Sequence, residues 1–301
     1  MKEKMKILVA YDGSECADAA LADLKRAGLP RKAEAHVLSV CANWMPASAS
    51  YEIDQINFTM FSRELKEHTL AMSRDACAKL KSSFPDWEFQ AEALMGAPAN
   101  LILHRAGELK ADLIVVGSHG RSAFGRLLLG SVSQKVLHAA HGTLRIARSQ
   151  KKDPQTPIRL IVGIDGSKGA EGAIDVVAGR HWPNGSEARI VNGFPVLPAL
   201  GIEYADLTLA QWISEEKERV EKSIEKASGR LKGAGLNVSA ILTKEDARRS
   251  LIDEAESWKA DCIFVGARGM GAFERFLLGS VSSYVATHAP CSVEIVRENE
   301  K

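Results

Sequence analysis

Two stretches of this chain carry the residue types that hold phosphate groups. One is VGSHGRSAFGRLLLGS, opening at Val116; the other is VGARGMGAFERFLLGS, opening at Val265. In each, two glycines stand three apart, and a third follows ten residues later with a serine directly behind it. These are Gly117, Gly120, Gly130 and Ser131 in the first stretch, and Gly266, Gly269, Gly279 and Ser280 in the second. A glycine at a strand end permits positive φ and lets another group approach the backbone, because no Cβ intervenes. The Gly-Ser pair reads as a helix entry with serine as the cap, where the first amides lack intrahelical partners. Exposed amides and the positive end of the helix dipole together make a phosphate site. The spacer between the second and third glycines is long enough to leave a strand, cross a groove and return to a helix start. The same residues would also serve folding alone, as two tight turns and a capped helix. Preservation of the spacing in two copies whose flanking residues diverge weighs against that plainer reading.

Other constellations are weaker. Asp12 in ILVAYDGS and Asp165 in LIVGIDGS are each placed to act as a general base, or to bind Mg²⁺ through phosphate. Each equally fits a turn-forming aspartate that caps local amides. Ser14 and Ser167 of the DGS turns lack the GxSxG surroundings of a hydrolase nucleophile. The loop GxxxxGK[ST] is absent, which argues against phosphoryl transfer of that type. The glycines follow the fourth expected strand and not the first, so a dinucleotide fold fits poorly. His138 and His141 have no third or fourth ligand nearby in sequence and read as a helix surface.

The elements that must position these residues are duplicated. Gly117 maps onto Gly266 and Gly130 onto Gly279 with one offset of 149 (266 − 117, 279 − 130). From Lys110 to Ser133 against Lys259 to Ser282, 16 of 24 positions are identical. Upstream, Asp12 maps onto Asp165 at an offset of 153 (165 − 12). A period near 150 residues marks a duplicated domain and not a solenoid, whose units are far shorter. The expected domains are 1–150 and 156–301, joined near SQKKDPQTP. Each half alternates apolar runs with helical spacing: a strand to Tyr11, a helix carrying Ala17, Ala20, Leu21 and Leu24, and a strand from Ala35. A long helix over roughly 57–82 follows, then a strand in FQAEALMG, a helix opening near Pro98, the strand ADLIVVG, a helix from Gly130-Ser131 and a strand in TLRIAR. The second half repeats this order, with its long helix over roughly 205–232. This alternation implies right-handed crossovers and a doubly wound parallel sheet, with ligands beyond the C-terminal strand ends.

Composition sets outer limits. Of 301 residues, 46% are hydrophobic and 26% charged with a net charge of +1, so two ordinary cores are affordable and a large nucleic-acid surface is not expected. Five scattered cysteines, none spaced as CxxC, suit a reducing compartment. No apolar run reaches signal-peptide or membrane-span length, and the expected location is cytoplasmic, with no membrane partner.

ADLIVVGSHGRSAFGRLLLGSVSQKVL and its second copy, with ILVAYDGS and LIVGIDGS, resemble the nucleotide-binding parts of the universal stress protein family. Its ATP-binding members carry Gly-x2-Gly-x9-Gly-Ser/Thr, and the whole chain looks like a tandem member. The resemblance implies two α/β domains of the adenine nucleotide alpha hydrolase-like kind, each binding ATP with Mg²⁺, in a pseudo-two-fold arrangement through the terminal strands. It places Ala10, Tyr11 and Asp12, and likewise Gly163, Ile164 and Asp165, beside adenine and ribose. Val40 would contact adenine, with Gly193 as its counterpart, while Val116 and Gly117, and Val265 and Gly266, would line the ribose side. Gly120, Gly130, Ser131 and Val132, and Gly269, Gly279, Ser280 and Val281, would hold phosphates. His119 and Arg268 lie inside the loop, where Arg268 adds charge. The implied role is regulation in stress response, through conformational change or a protein partner, with a homodimer of the chain as a further assembly. Slow ATP hydrolysis or autophosphorylation at Ser131 or Ser280 is the alternative.

Overall fold

The computed structural model describes residues 4–42, 53–120, 129–148, 153, 155–193, 207–243, 245–269 and 278–297. The chain divides into two compact units, one running to Ser149 and the other from Gln150.

In the first unit the order is β1 (Met5–Ala10), α1 (Glu15–Leu24), β2 (Ala33–Cys41), α2 (Ile53–Lys81), β3 (Glu88–Met95), α3 (Pro98–Leu109), β4 (Leu113–Gly117), α4 (Ser131–Ala139) and β5 (Thr143–Ala147). All pairings are parallel: β1 lies between β2 and β4, β3 flanks β2, and β5 flanks β4. Along β1 and β4, alternate residues face opposite sides. Ile7, Val9, Leu113 and Val115 join Ala20, Leu24 and Leu80 in one core beneath α1 and α2. Leu8, Ile114 and Val116 are equally buried on the other face, where α3 and α4 pack on each other. Burial on both faces explains why β4 reads as an unbroken apolar run.

The second unit repeats the scheme with β6 (Arg159–Ile164), α5 (Lys168–Ala178), β7 (Glu187–Gly193), α6 (Leu207–Gly233), β8 (Asn237–Thr243), α7 (Ala247–Ser257), β9 (Cys262–Gly266), α8 (Ser280–His288) and β10 (Ser292–Val296). Here β6 lies between β7 and β9, with β8 and β10 outside them, again all parallel. In both units the chain first winds outward from the central strand, then crosses back to its other side. That reversal opens a crevice at the C-terminal ends of β1 and β4, and of β6 and β9.

Local chemistry accounts for the boundaries. Pro98 starts α3 at a position that needs no N–H. Lys110 and Lys259, at φ 51° and 54°, take the left-handed conformation that ends the helix before each fourth strand. The long helices differ from the spacing-based expectation: α2 begins at Ile53, four residues early, and the expected start at 205 lies outside the described residues. Among the described residues no helix is long and apolar enough to cross a membrane.

Candidate functional site

Each crevice is built from three turns, and the first is the DGS turn. Gly13 and Gly166 stand at φ 75° and 82°, a conformation costly for any residue with a Cβ. This lets the backbone fold back so that the Ser14 N–H donates to Asp12 Oδ1 at 3.0 Å, and the Ser167 N–H to Asp165 Oδ1 at 3.0 Å. The turn-forming role of these aspartates is therefore realised. The serines then cap the next helix: Ala17 N–H donates to Ser14 Oγ at 3.1 Å and Ala170 N–H to Ser167 Oγ at 3.2 Å. Ser167 Oγ also donates to the Arg268 carbonyl at 3.3 Å, tying this turn to the glycine loop. Removal of an N-cap oxygen costs about 1 kcal/mol. Ser167→Ala is accordingly expected to lower stability by about that amount, and by more than Ser14→Ala, in denaturant unfolding of the full chain.

The second turn follows the fourth strand. The sequence assigns Gly117 and Gly266 to close ligand approach or positive φ; the structure gives them another task. Neither is in the left-handed region, and what lies against them is protein backbone. A Cβ on Gly117 would fall 3.0 Å from the Cys16 carbonyl oxygen. On Gly266 it would fall 2.4 Å from the Gly169 carbonyl carbon. The missing side chain thus allows the first turn of α1 or α5 to seat directly on the strand end. Gly120 and Gly269 do abut the site: their Cβ positions lie 2.9 Å and 2.4 Å from Asp12 Oδ2 and Asp165 Oδ2.

The third turn is the helix entry. Gly130 N–H donates to the Ser118 carbonyl at 2.8 Å, and Gly279 N–H to the Ala267 carbonyl at 2.8 Å, which brings the chain back beside the strand end. The capping residue is the glycine and not the serine: Gly130 and Gly279 are the N-caps, with no side-chain cap bond, and Ser131 and Ser280 are the first helical residues. The first helical bond runs from Gln134 N–H to the Gly130 carbonyl, so the amides of Ser131, Val132 and Ser133 have no intrahelical acceptor. The same holds at Ser280, Val281 and Ser282, ahead of the Ser283 N–H bond to Gly279. Ser133 Oγ donates to the Gly117 carbonyl at 2.7 Å and Ser282 Oγ to the Gly266 carbonyl at 2.5 Å, clamping each helix start to its strand end. Residues 121–128 and 270–277, on which the groove-crossing expectation rests, lie outside the described residues.

In the second unit these turns enclose a cleft of about 360 Å³. Its walls bring together the expected Gly163, Ile164, Asp165, Val265, Gly266, Arg268, Gly269, Gly279, Ser280 and Val281. They add Ala170, Val191, Ala247, Leu251 and Ser282, which sequence reasoning did not single out, and Ser167, which it weighed only as a hydrolase nucleophile. Gly193 ends β7 opposite Thr243, and the β7 wall residue among those described is Val191. In the first unit Ala10 closes β1 beside Leu38, Val40 pairs with Leu94, and Val116 is buried in β4 next to Ile146. The Cβ position of Gly130 lies 3.3 Å from His119 Cα and 3.4 Å from Gly120 N, so the glycine loop and helix start are in contact. The Tyr11 side chain is committed elsewhere. Its hydroxyl donates to Asp18 at 2.8 Å and accepts from Lys79 at 3.3 Å, which leaves only its backbone to the crevice.

An apolar-walled cleft of this size, with uncapped amides at one end, suits an anion attached to a flat apolar group. The sequence pattern of the Universal stress protein family matches residues 4–148 and 158–297. A universal stress protein of Mycolicibacterium smegmatis is 28% identical over 301 residues, covering 97% of this chain and 96% of its own length. One of Methanocaldococcus jannaschii is 32% identical over 157 residues, covering 49% of this chain and 84% of itself. The crystal structure of a universal stress protein from Archaeoglobus fulgidus superposes with a TM-score of 0.61 at 24% identity, over 97% of this chain and 98% of that one.

Proposed function

The chain belongs to the universal stress protein family, and from that premise we propose that it is an ATP-binding regulator of the stress response, holding one nucleotide at the C-terminal strand ends of each domain. The domains of this proposal are 1–150 and 156–301. The observation that carries it is the pair of uncapped helix starts at Gly130-Ser131 and Gly279-Ser280, each facing a glycine loop and an aspartate turn. Phosphates would sit on the amides of Ser131 to Ser133 and Ser280 to Ser282, with Gly120 and Gly269 opposite. Ribose would lie along Asp12, Val116 and Gly117, or Asp165, Val265 and Gly266. Adenine would rest against Ala10 and Val40 in one domain, and against Gly163, Val191 and Leu251 in the other. Bound with Mg²⁺, the nucleotide would bridge the three turns, so its arrival or loss changes how firmly they are held together. That change is what a protein partner would read. Calorimetric titration of the nucleotide-free chain with Mg-ATP is expected to give one ATP per domain; no binding at either domain overturns the proposal.

One observation favours slow ATP hydrolysis or autophosphorylation as a second reading: the Ser131 and Ser280 hydroxyls are exposed at the helix start and are not used as caps. Phosphate release or label incorporation that disappears in Ser131→Ala with Ser280→Ala supports it, and ATP bound unchanged for hours counts against it.

A further inference from the structure

The two sites differ at one position beside the helix start. His119 and Arg268 occupy the same place, two residues beyond the strand end and directly before the second glycine. We propose that nucleotide in the first domain binds more tightly as the solution is acidified, through protonation of His119, whereas nucleotide in the second domain, beside Arg268, does not respond. This rests on the reading that each domain holds ATP.

Equivalent positions in the two units set both residues beside the helix start. Arg268 lines the cleft together with Gly269, Gly279 and Ser280. His119 packs its backbone on Gly130, at the matching place. Its Nδ1 lies 3.1 Å from Ser118 Oγ, and its Nε2 is buried with no hydrogen-bond partner among the described residues. A buried ring nitrogen without a partner is costly, and a phosphate oxygen accepting from Nε2–H would remove that cost. The Ser118 hydroxyl can donate to a neutral ring or accept from a charged one, so the imidazole keeps its position in either state.

The charges around the ring set the sign. Burial and the positive charge of Arg148 hold the His119 pKa below the ordinary histidine range, so the ring is neutral at pH 7 in the nucleotide-free protein. Asp12, on the neighbouring turn, presents Oδ2 against Gly120, and the start of α4 lies against the His119 backbone at Gly130. A bound phosphate adds negative charge beside Nε2 and stabilises the imidazolium. Binding at this site therefore takes up a proton, and by reciprocity lower pH strengthens binding. A guanidinium does not ordinarily titrate in this range. In the second domain burial, and after it the charge of Arg268, push the Arg297 pKa down.

The test is Mg-ATP titration of the full chain at about pH 5.5 and about pH 8, the window in which histidine is the side chain that ordinarily titrates. The nucleotide's own protonation is common to both sites and cancels in the ratio of their affinities. For the wild-type chain that ratio is expected to change about threefold to tenfold between the two pH values, the size of a charge-assisted hydrogen bond gained. His119→Gln should retain binding at both sites with a ratio that no longer changes, and Arg268→His should make the second site acid-dependent. The His119 ring resonances should also show a higher pKa with ATP than without. A constant ratio in the wild-type chain, or a changing one in His119→Gln, overturns the proposal while leaving ATP binding intact. Absence of binding at either pH overturns both.

Discussion

Gly266→Ala is expected to unfold the second domain under conditions where the parent chain is folded. The added Cβ would sit 2.4 Å from the carbonyl carbon of Gly169, 2.7 Å from its oxygen and 2.8 Å from its Cα. All three are backbone atoms in the first turn of α5, so relief requires moving a whole helix off the strand end. Overpacking that only displaces side chains costs about 1–3 kcal/mol, and here the lower bound is about 3 kcal/mol. Gly117→Ala meets the Cys16 carbonyl at 3.0 Å and should cost less, about 1 kcal/mol. Gly107→Ala is the control: nothing lies within 4 Å of its Cβ position on an exposed helix face, and the change should stabilise by about 0.5–1 kcal/mol. Denaturant unfolding of the three variants should rank them in that order. A Gly266→Ala chain as stable as its parent would mean that α5 is not seated where described. The same geometry makes valine at Gly117 or Gly266 a poor probe of nucleotide binding, since the domain would fail before the ligand was tested.

Aspartate at the two exposed serines separates folding from binding. Ser131→Asp and Ser280→Asp each put a carboxylate in the first turn of α4 or α8, where the helix dipole favours it by about 0.3–1 kcal/mol. Neither side chain is packed, so the helices should be retained or slightly stabilised. The same carboxylate faces the place assigned to phosphate and occupies the free amides. ATP affinity at the altered domain is expected to fall about 10- to 100-fold, roughly 1.4–2.8 kcal/mol, and the other domain should be unchanged. Undiminished affinity in both variants would remove the helix starts from the site.

Much of this was legible in the sequence because it is local. The apolar run of β4 followed by two glycines, and the aspartate turn before α1, each lie within a few residues and occur twice. The cap assignment missed by one position, because Gly-Ser is compatible with either residue as the cap and only the backbone angles decide. The task of Gly117 could not be read, since the atom that demands glycine belongs to Cys16, far away in the chain. Val191 and Leu251 became wall residues only through the strand order that sets β7 and β9 on either side of β6 and packs α7 against β7 and β6. Ser133 and Ser282 were within reach: serine recurs at both positions in SVS, a repeat that marks the clamp onto the strand-end carbonyl.

The account stands on the amides of the two helix starts. Their backbone N–H resonances, at Ser131, Val132 and Ser133 and at Ser280, Val281 and Ser282, can be followed by NMR as Mg-ATP is added to the full chain. They should move to lower field and become protected from exchange as phosphate oxygens replace water. ATP bound at saturation with all six amides unshifted and still exchanging would contradict the account.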